Sequence, residues 1–280
     1  MPDLPATLFQ QDGPGRYVPT EWCRGPWDPN ALHAGSSGAL LTQLVDAHPA
    51  LVPMRVVRLS FDIVKPVPLA PLDVALDVER EGKRIQVVSA VLSAEGVEVT
   101  RMRALRIRRG DVTLPEDAPT SPTLDDVGLT APEEAPESAP PDLGTGLTFF
   151  AHAMEMRSSH QGLLWPPGPG SSWFRLRHPV IDEQPATQAA RVVAAADFGN
   201  GLSAPVSYLD WIYINADLQV MIQREPVDDW VGVASLSVAA ADGTALTTSR
   251  LADRTGQIGT ATQSLYVEPR AAPITPAGDG

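Results

Sequence analysis

Serine and cysteine nucleophiles need a sharp turn and a partnered base, and this chain offers only near approaches to such a turn. Gly35-Ser36-Ser37-Gly38 is one residue short of a Gly-x-Ser-x-Gly elbow, and Gly201-Leu202-Ser203-Ala204-Pro205 ends in proline. Cys23 is the only cysteine, and five scattered histidines show no metal-ligand spacing. No glycine-rich phosphate loop is present. A Ser–His–Asp hydrolase is therefore a poor reading, and neither a metal nor a cofactor is expected. Gln263 stands out, because strand alternation puts its amide on the same side as Ala261 and Leu265.

The elements that must position such groups belong to a water-soluble composition: 280 residues, 43% apolar and 20% charged. No apolar run approaches the roughly 18 residues of a membrane-spanning helix, so no membrane association is expected. Met-Pro-Asp-Leu-Pro at the start lacks the basic flank and apolar core of a secretory signal. With a single cysteine, this points to a cytoplasmic protein. Net charge is −13, but residues 111–142 hold nine acidic side chains and no Lys or Arg, leaving −4 elsewhere. That gives no footprint for nucleic acid.

Residues 111–146 are rich in Pro, Asp, Glu, Ser and Thr and cannot bury enough apolar surface to offset their ordering entropy. They read as an acidic, Pro-rich linker, in part disordered, between an N-terminal unit (1–110) and a C-terminal unit (147–280). The two units share a plan. An Ala/Leu-rich helix, Ala39 through Val45 or Ala186 through Ala196, precedes long β-patterned segments. In the first unit these are about 55–64, 72–80, 85–94 and 97–108; in the second, about 211–223, 230–240, 246–253 and 257–267. Lys65-Pro66 answers Glu225-Pro226, Glu81-Gly82 answers Asp242-Gly243, and Glu95-Gly96 answers Thr255-Gly256, at offsets of 160 or 161. A duplication is implied, with Arg103 as the counterpart of Gln263. In 211–223 the alternate set Ile212, Ile214, Ala216, Leu218, Val220 and Ile222 is wholly apolar, which predicts one dry sheet face. The fold class is α+β: in each unit, an antiparallel sheet covers one helix.

The run Gly25-Pro26-Trp27-Asp28-Pro29-Asn30-Ala31-Leu32-His33-Ala34-Gly35 resembles a family of actinobacterial thioesterase-like proteins. So do Phe61-Asp62-Ile63-Val64-Lys65-Pro66-Val67-Pro68-Leu69 and Gly259-Thr260-Ala261-Thr262-Gln263-Ser264-Leu265. More distantly the chain is similar to type II acyl-CoA thioesterases. The resemblance implies a tandem (double) hotdog, two antiparallel sheets each wrapping a central helix, with acyl-CoA as substrate. It implies hydrolysis by a water held by an Asp, a hydroxyl residue and a Gln. By local match these fall on Asp197, Asn215 and Gln263; Asn215 departs from the hydroxyl, and alternation places it on the opposite strand face from Gln263. A bulge would reconcile the two. On this scheme Asp197 is the base, Asn215 and Gln263 position the water, and His33 and Gly35 contact substrate where the first helix opens. A homo-oligomer is also implied, since hotdogs commonly pair.

Two alternatives stay open. Asp28-Pro29-Asn30-Ala31-Leu32-His33 also resembles the Asp-x-Asn-Pro-aliphatic-His motif of (R)-specific enoyl-CoA hydratases, with Ala31 in place of Pro. A non-catalytic acyl-thioester-binding protein is the other. Arg101, Arg103, Arg106, Arg108 and Arg109 are either CoA-phosphate ligands or, more commonly for such a stretch, solvated outer-face residues. Trp22, Trp27, Trp165 and Trp173 wall an acyl pocket or, the more frequent case, pack the core.

Overall fold

Period-two patterning lays down the long strands of this chain, and a computed structural model describes residues 5–26, 28–138, 146–158, 167–182 and 184–272. A short hairpin of β1 (Phe9–Gln11) and β2 (Arg16–Pro19) leads to helix α1 (Ala34–Asp46). Four long strands follow: β3 (Met54–Ile63), β4 (Leu72–Arg80), β5 (Ile85–Ala94) and β6 (Val97–Arg108). Beyond the one-turn helix α2 (Leu124–Val127) come β7 (Met154–Arg157), β8 (Gly170–Leu176), α3 (Gln188–Ala196) and the short α4 (Gly199–Leu202). The chain then forms β9 (Trp211–Asn215), β10 (Asp217–Ile222), β11 (Val231–Ala239), β12 (Thr244–Asp253) and β13 (Gly256–Pro269).

The two sheets expected from the sequence are joined into one. Thirteen strands run β1-β2-β4-β5-β6-β3-β10-β13-β12-β11-β8-β7, with β9 also on β13. The junction is the antiparallel pair β3–β10, where Leu59 faces Val220 and Phe61 faces Leu218. Each of these strands would otherwise leave an edge of unpaired backbone groups, and pairing removes both edges at once.

The order is palindromic about that junction, as a duplication requires, but the true offset is one less than the turns suggest. Ser60 pairs with Arg103 as Gln219 pairs with Thr262, an offset of 159. The turn glycines mislead because Gly96 and Gly256 sit at different positions in their hairpins. The counterpart of Gln263 is therefore the inward-facing Ala104, not Arg103, which is exposed and paired with Glu79.

The segment 211–223 does not keep one phase. Asn215 pairs with Leu265, whereas Gln219 pairs with Thr262, so one extra residue is absorbed at Ala216. This bulge flips the strand: Leu218, Val220 and Ile222 are buried, while upstream Tyr213 turns in and Ile214 is half exposed. The expectation that Ile214 lies on the dry face is thereby corrected.

Helices α1 and α3 lie antiparallel against each other inside the sheet, α1 against β3 and β5, α3 against β8 and β11. Two glycines set their distance. A Cβ on Gly38 would come within 2.9 Å of Val193 Cγ1, and one on Gly35 within 3.1 Å of the Ala194 carbonyl oxygen. At the other end Gln43 clasps the start of α3, donating to Pro185 O (3.0 Å) and accepting from Thr187 N–H (2.8 Å). Arg106 is buried and donates to the Asp46 and His48 carbonyls at the end of α1, which is favourable beside a helix C-terminus.

Part of the predicted linker is ordered on the second half. Thr123 and Asp126 form a capping box on α2, and Gly128 closes it with φ +84°. Val127, Leu129 and Ala135 pack with Trp173, Trp230 and Ala252. Trp173 donates to Thr130 O, and Arg157 to Pro132 O. Composition hid these anchors among charged and proline residues.

Asp253, fully buried in the β12–β13 hairpin, accepts hydrogen bonds from Arg224, from Thr255 and from Val227 N–H. Burial alone would raise its carboxyl, but Arg224 and the Thr255 and Val227 donors outweigh it and hold it at about 2 against an ordinary 3.8. A depressed carboxylate contributes stability above its unfolded value and loses it as pH falls through the folded one, worth about 2 kcal/mol here. Asp253→Asn should therefore cost about 3 kcal/mol at pH 7 by stranding Arg224. In thermal unfolding, the Tm gap to wild type should close between about pH 4 and pH 2. Gly38→Val should destabilise by about 1–3 kcal/mol through overpacking against Val193, read as a lower Tm.

Candidate active site

Antiparallel packing brings the N-terminus of α1 beside the C-terminus of α3, and a side chain waits at each end. His33 is the N-cap of α1 and Asp197 the C-cap of α3. His33 Nδ1 lies 3.0 Å from Asp197 Oδ2. The opposite carboxylate oxygen accepts from Asn215 Nδ2 (3.0 Å) and Gln263 Nε2 (3.3 Å). Gln263 is completely engaged: it also donates to Asp197 O (3.3 Å), and its oxygen accepts from Asn200 N–H (3.0 Å). Asp197 and Gln263 are 5% and 1% exposed, so these bonds form away from bulk water and hold the carboxylate in one orientation.

The bulge at Ala216 makes this possible. By pairing Asn215 with Leu265 it turns the Asn215 amide to the same side as Gln263. Four of the five residues singled out from sequence thus meet: His33 from the first half and Asp197, Asn215 and Gln263 from the second. Gly35 does not line the cavity. It sits in the first turn of α1, where its missing side chain admits the Ala194 carbonyl and Phe149.

A cavity of about 460 Å³ opens against His33, Asp197 and Asn215. Phe61, Ile63, Val67, Phe150, Phe198 and Leu218 make its walls predominantly apolar, and Asp28 and Lys65 also line it. The His33 ring is stacked on Phe198 (centroids 5.0 Å) and tilted against Phe149 (5.1 Å), and those two rings also lie against each other (6.1 Å). The His33 Nδ1 is also 3.1 Å from Gly35 N, so the Gly35 N–H and the Asp197 carboxylate compete at one atom. We place the proton on Nδ1, because the charge-assisted bond to a carboxylate is the stronger of the two.

Other sequence candidates lie elsewhere. Trp22 stacks on His178 (4.6 Å) and Trp173 is buried in the small core under α2; Trp27 and Trp165 fall outside the described residues. Of the arginine stretch, Arg101, Arg103 and Arg109 pair with Glu98, Glu79 and Glu225, and Arg106 caps α1. Sequence reasoning did not find the His33–Asp197 contact, nor the two phenylalanines that hold the ring. The signal was their place at opposite helix ends, which becomes readable only once α1 and α3 are known to pair. No helix among the described residues is long and apolar enough to cross a membrane.

Comparison with known proteins identifies the family and the fold. Residues 23–107 match the acyl-CoA thioesterase N-terminal domain and residues 130–267 the acyl-CoA thioesterase C-terminal domain. Among solved structures, the chain is similar to a Thermobifida fusca YX protein proposed as a thioesterase II (17% identity, TM-score 0.69, covering 94% of this chain and 96% of that one). It is similar to an Alicyclobacillus acidocaldarius protein of unknown function with a hot dog fold (15%, 0.68, 96% and 97%). It is also similar to the acyl-CoA thioesterase II TesB2 of Mycobacterium marinum (16%, 0.61, 95% and 97%). No curated protein matches in sequence. Both halves of the chain thus fit the domains of one family in the right order, and the chain belongs to the acyl-CoA thioesterases.

Proposed function

We propose that this thioesterase hydrolyses acyl-CoA with a water activated at the cluster built on Asp197, Asn215 and Gln263. The observation that supports this most is the convergence of three side-chain donors on one buried carboxylate at the wall of an apolar cavity. Asn215 gives its N–H to Asp197, which leaves its carbonyl oxygen as an acceptor for the water. That is the part a hydroxyl oxygen would play. Gln263 has no free group for water and acts as a positioning residue. The Ala34 N–H, in the first turn of α1, has no acceptor among the described residues and borders the cavity. It is suited to the oxyanion that forms when water adds to the thioester carbonyl. Collapse of that intermediate breaks the C–S bond and releases CoA and the free acid.

The hydratase arrangement finds less support. There an Asp and a His of one motif share the water, but Asp28 accepts from Asn30 N–H (2.8 Å) in a local turn, while His33 is bound to Asp197. We further read the chain as units 1–110 and 147–280 joined by 111–146, each a hotdog whose strands wrap its own helix. A cytoplasmic location and assembly into a homo-oligomer complete the reading.

Thiol release from acyl-CoAs of graded chain length, followed colorimetrically, tests it. Asp197→Asn should lower kcat about 10²–10⁴-fold. Asn215→Ala should lose about tenfold or more, and Asn215→Thr should recover most of that. Equal release by wild type and Asp197→Asn would remove the site while leaving the activity.

A further inference from the structure

We propose that His33 is a catalytic residue, its Nε2 taking the proton of the attacking water while Asp197 orients the ring. This rests on the thioesterase reading and names the atom through which the water is deprotonated. The carboxylate that the sequence marks as base is poorly free to act alone. Its Oδ1 already accepts from Asn215 and Gln263, and its Oδ2 faces His33 Nδ1 at 3.0 Å. The imidazole has the opposite character. Its Nδ1 is committed to the carboxylate, its ring packs against Phe149 and Phe198, and it lines the cavity. Nε2 has no partner among the described residues. An imidazole with one nitrogen anchored and the other open to substrate space is placed to accept a proton.

In the step, the water O–H bond breaks, its proton passes to Nε2, and the oxygen electron pair forms the new bond to the thioester carbonyl carbon. The Asp197 carboxylate stabilises the imidazolium. As the intermediate collapses, the C–S bond breaks and Nε2 returns its proton to the leaving sulfur. The ring ends neutral, ready for the next turnover. The other ionisable groups around it are Asp28 and Lys65 on the loops that line the cavity, Tyr266 on β13, and the buried Cys23, whose carbonyl accepts His33 N–H.

His33→Asn is the informative variant, because Asn serves as well at an N-cap and preserves the helix start. We expect wild-type Tm within a few degrees, kcat lower by about 10²-fold or more with KM little changed, and loss of the acid limb of the wild-type kcat/KM profile. Added imidazole should restore part of the activity of His33→Gly in proportion to its concentration. Folded His33→Asn with kcat within threefold of wild type would overturn the proposal and leave the thioesterase standing. A large loss with the acid limb intact and no imidazole rescue would reduce His33 to a helix cap. No thiol release by wild type itself would sink both readings.

Discussion

The close approach of α1 and α3 is the constraint on which this molecule turns. Two glycines on one helix allow the close approach, since a Cβ on Gly38 would crowd Val193 and one on Gly35 the Ala194 carbonyl. Antiparallel contact then sets a helix N-terminus against a helix C-terminus at each end of the pair. The dipoles favour that arrangement, and residues more than 160 positions apart become neighbours. The sheet follows suit. Once the helices are paired, β3 and β10 lie edge to edge and fuse the two halves into thirteen strands.

The site inherits its rigidity from this packing. Asp197 is not merely buried; it ends a helix whose last carbonyls abut α1, and two amides from β9 and β13 grip one of its oxygens. Such an anion keeps its direction without reorganisation when charge develops nearby, which is what electrostatic preorganisation requires. The cavity beside it is walled by phenylalanine and aliphatic side chains, so each polar group there acts in a setting with little competing water.

Much of the architecture was legible in the sequence, because alternation is a local signal. β4, β5 and β6 run over the spans that their patterning predicts, and α3 within two residues of its own. What failed was information of longer range. The bulge at Ala216 left the apolar alternation of 211–223 unbroken and so could not be seen, yet it decides which way Asn215 faces. The repeat offset went wrong by one, since glycines mark turns without marking the same position in each. The order in 121–138 was missed because its apolar anchors are dispersed, although Thr123-Leu124-Asp125-Asp126 carries the capping-box pattern. The Asp197, Asn215 and Gln263 set came from resemblance, and the His33 contact needed the helix pairing.

The duplication accounts for a candidate site at one end of the helix pair. The two ends are related by the same pseudo-symmetry that relates the sheets. At one, Asp197 closes α3 and meets His33, the N-cap of α1; at the other, α1 ends at Asp46 near Thr187, the N-cap of α3. Even the bulge is repeated, for Val56 pairs with Arg106 as Asn215 pairs with Leu265. The side chains carried to these matched positions differ in kind. Where the second half places Asn215 and Gln263, the first has Val56 and Ala104, and where the second has Leu265, the first has Arg106. Arg106 commits its guanidinium to the Asp46 and His48 carbonyls and to Gln86, so that end is closed by a structural cap. Thr187 offers a hydroxyl in place of an imidazole and uses its oxygen to cap its own helix. One duplicated scaffold therefore yields two related helix ends. The end with an imidazole, two amides and a cavity has the groups to move a proton, and the end with a guanidinium holds the helix in place.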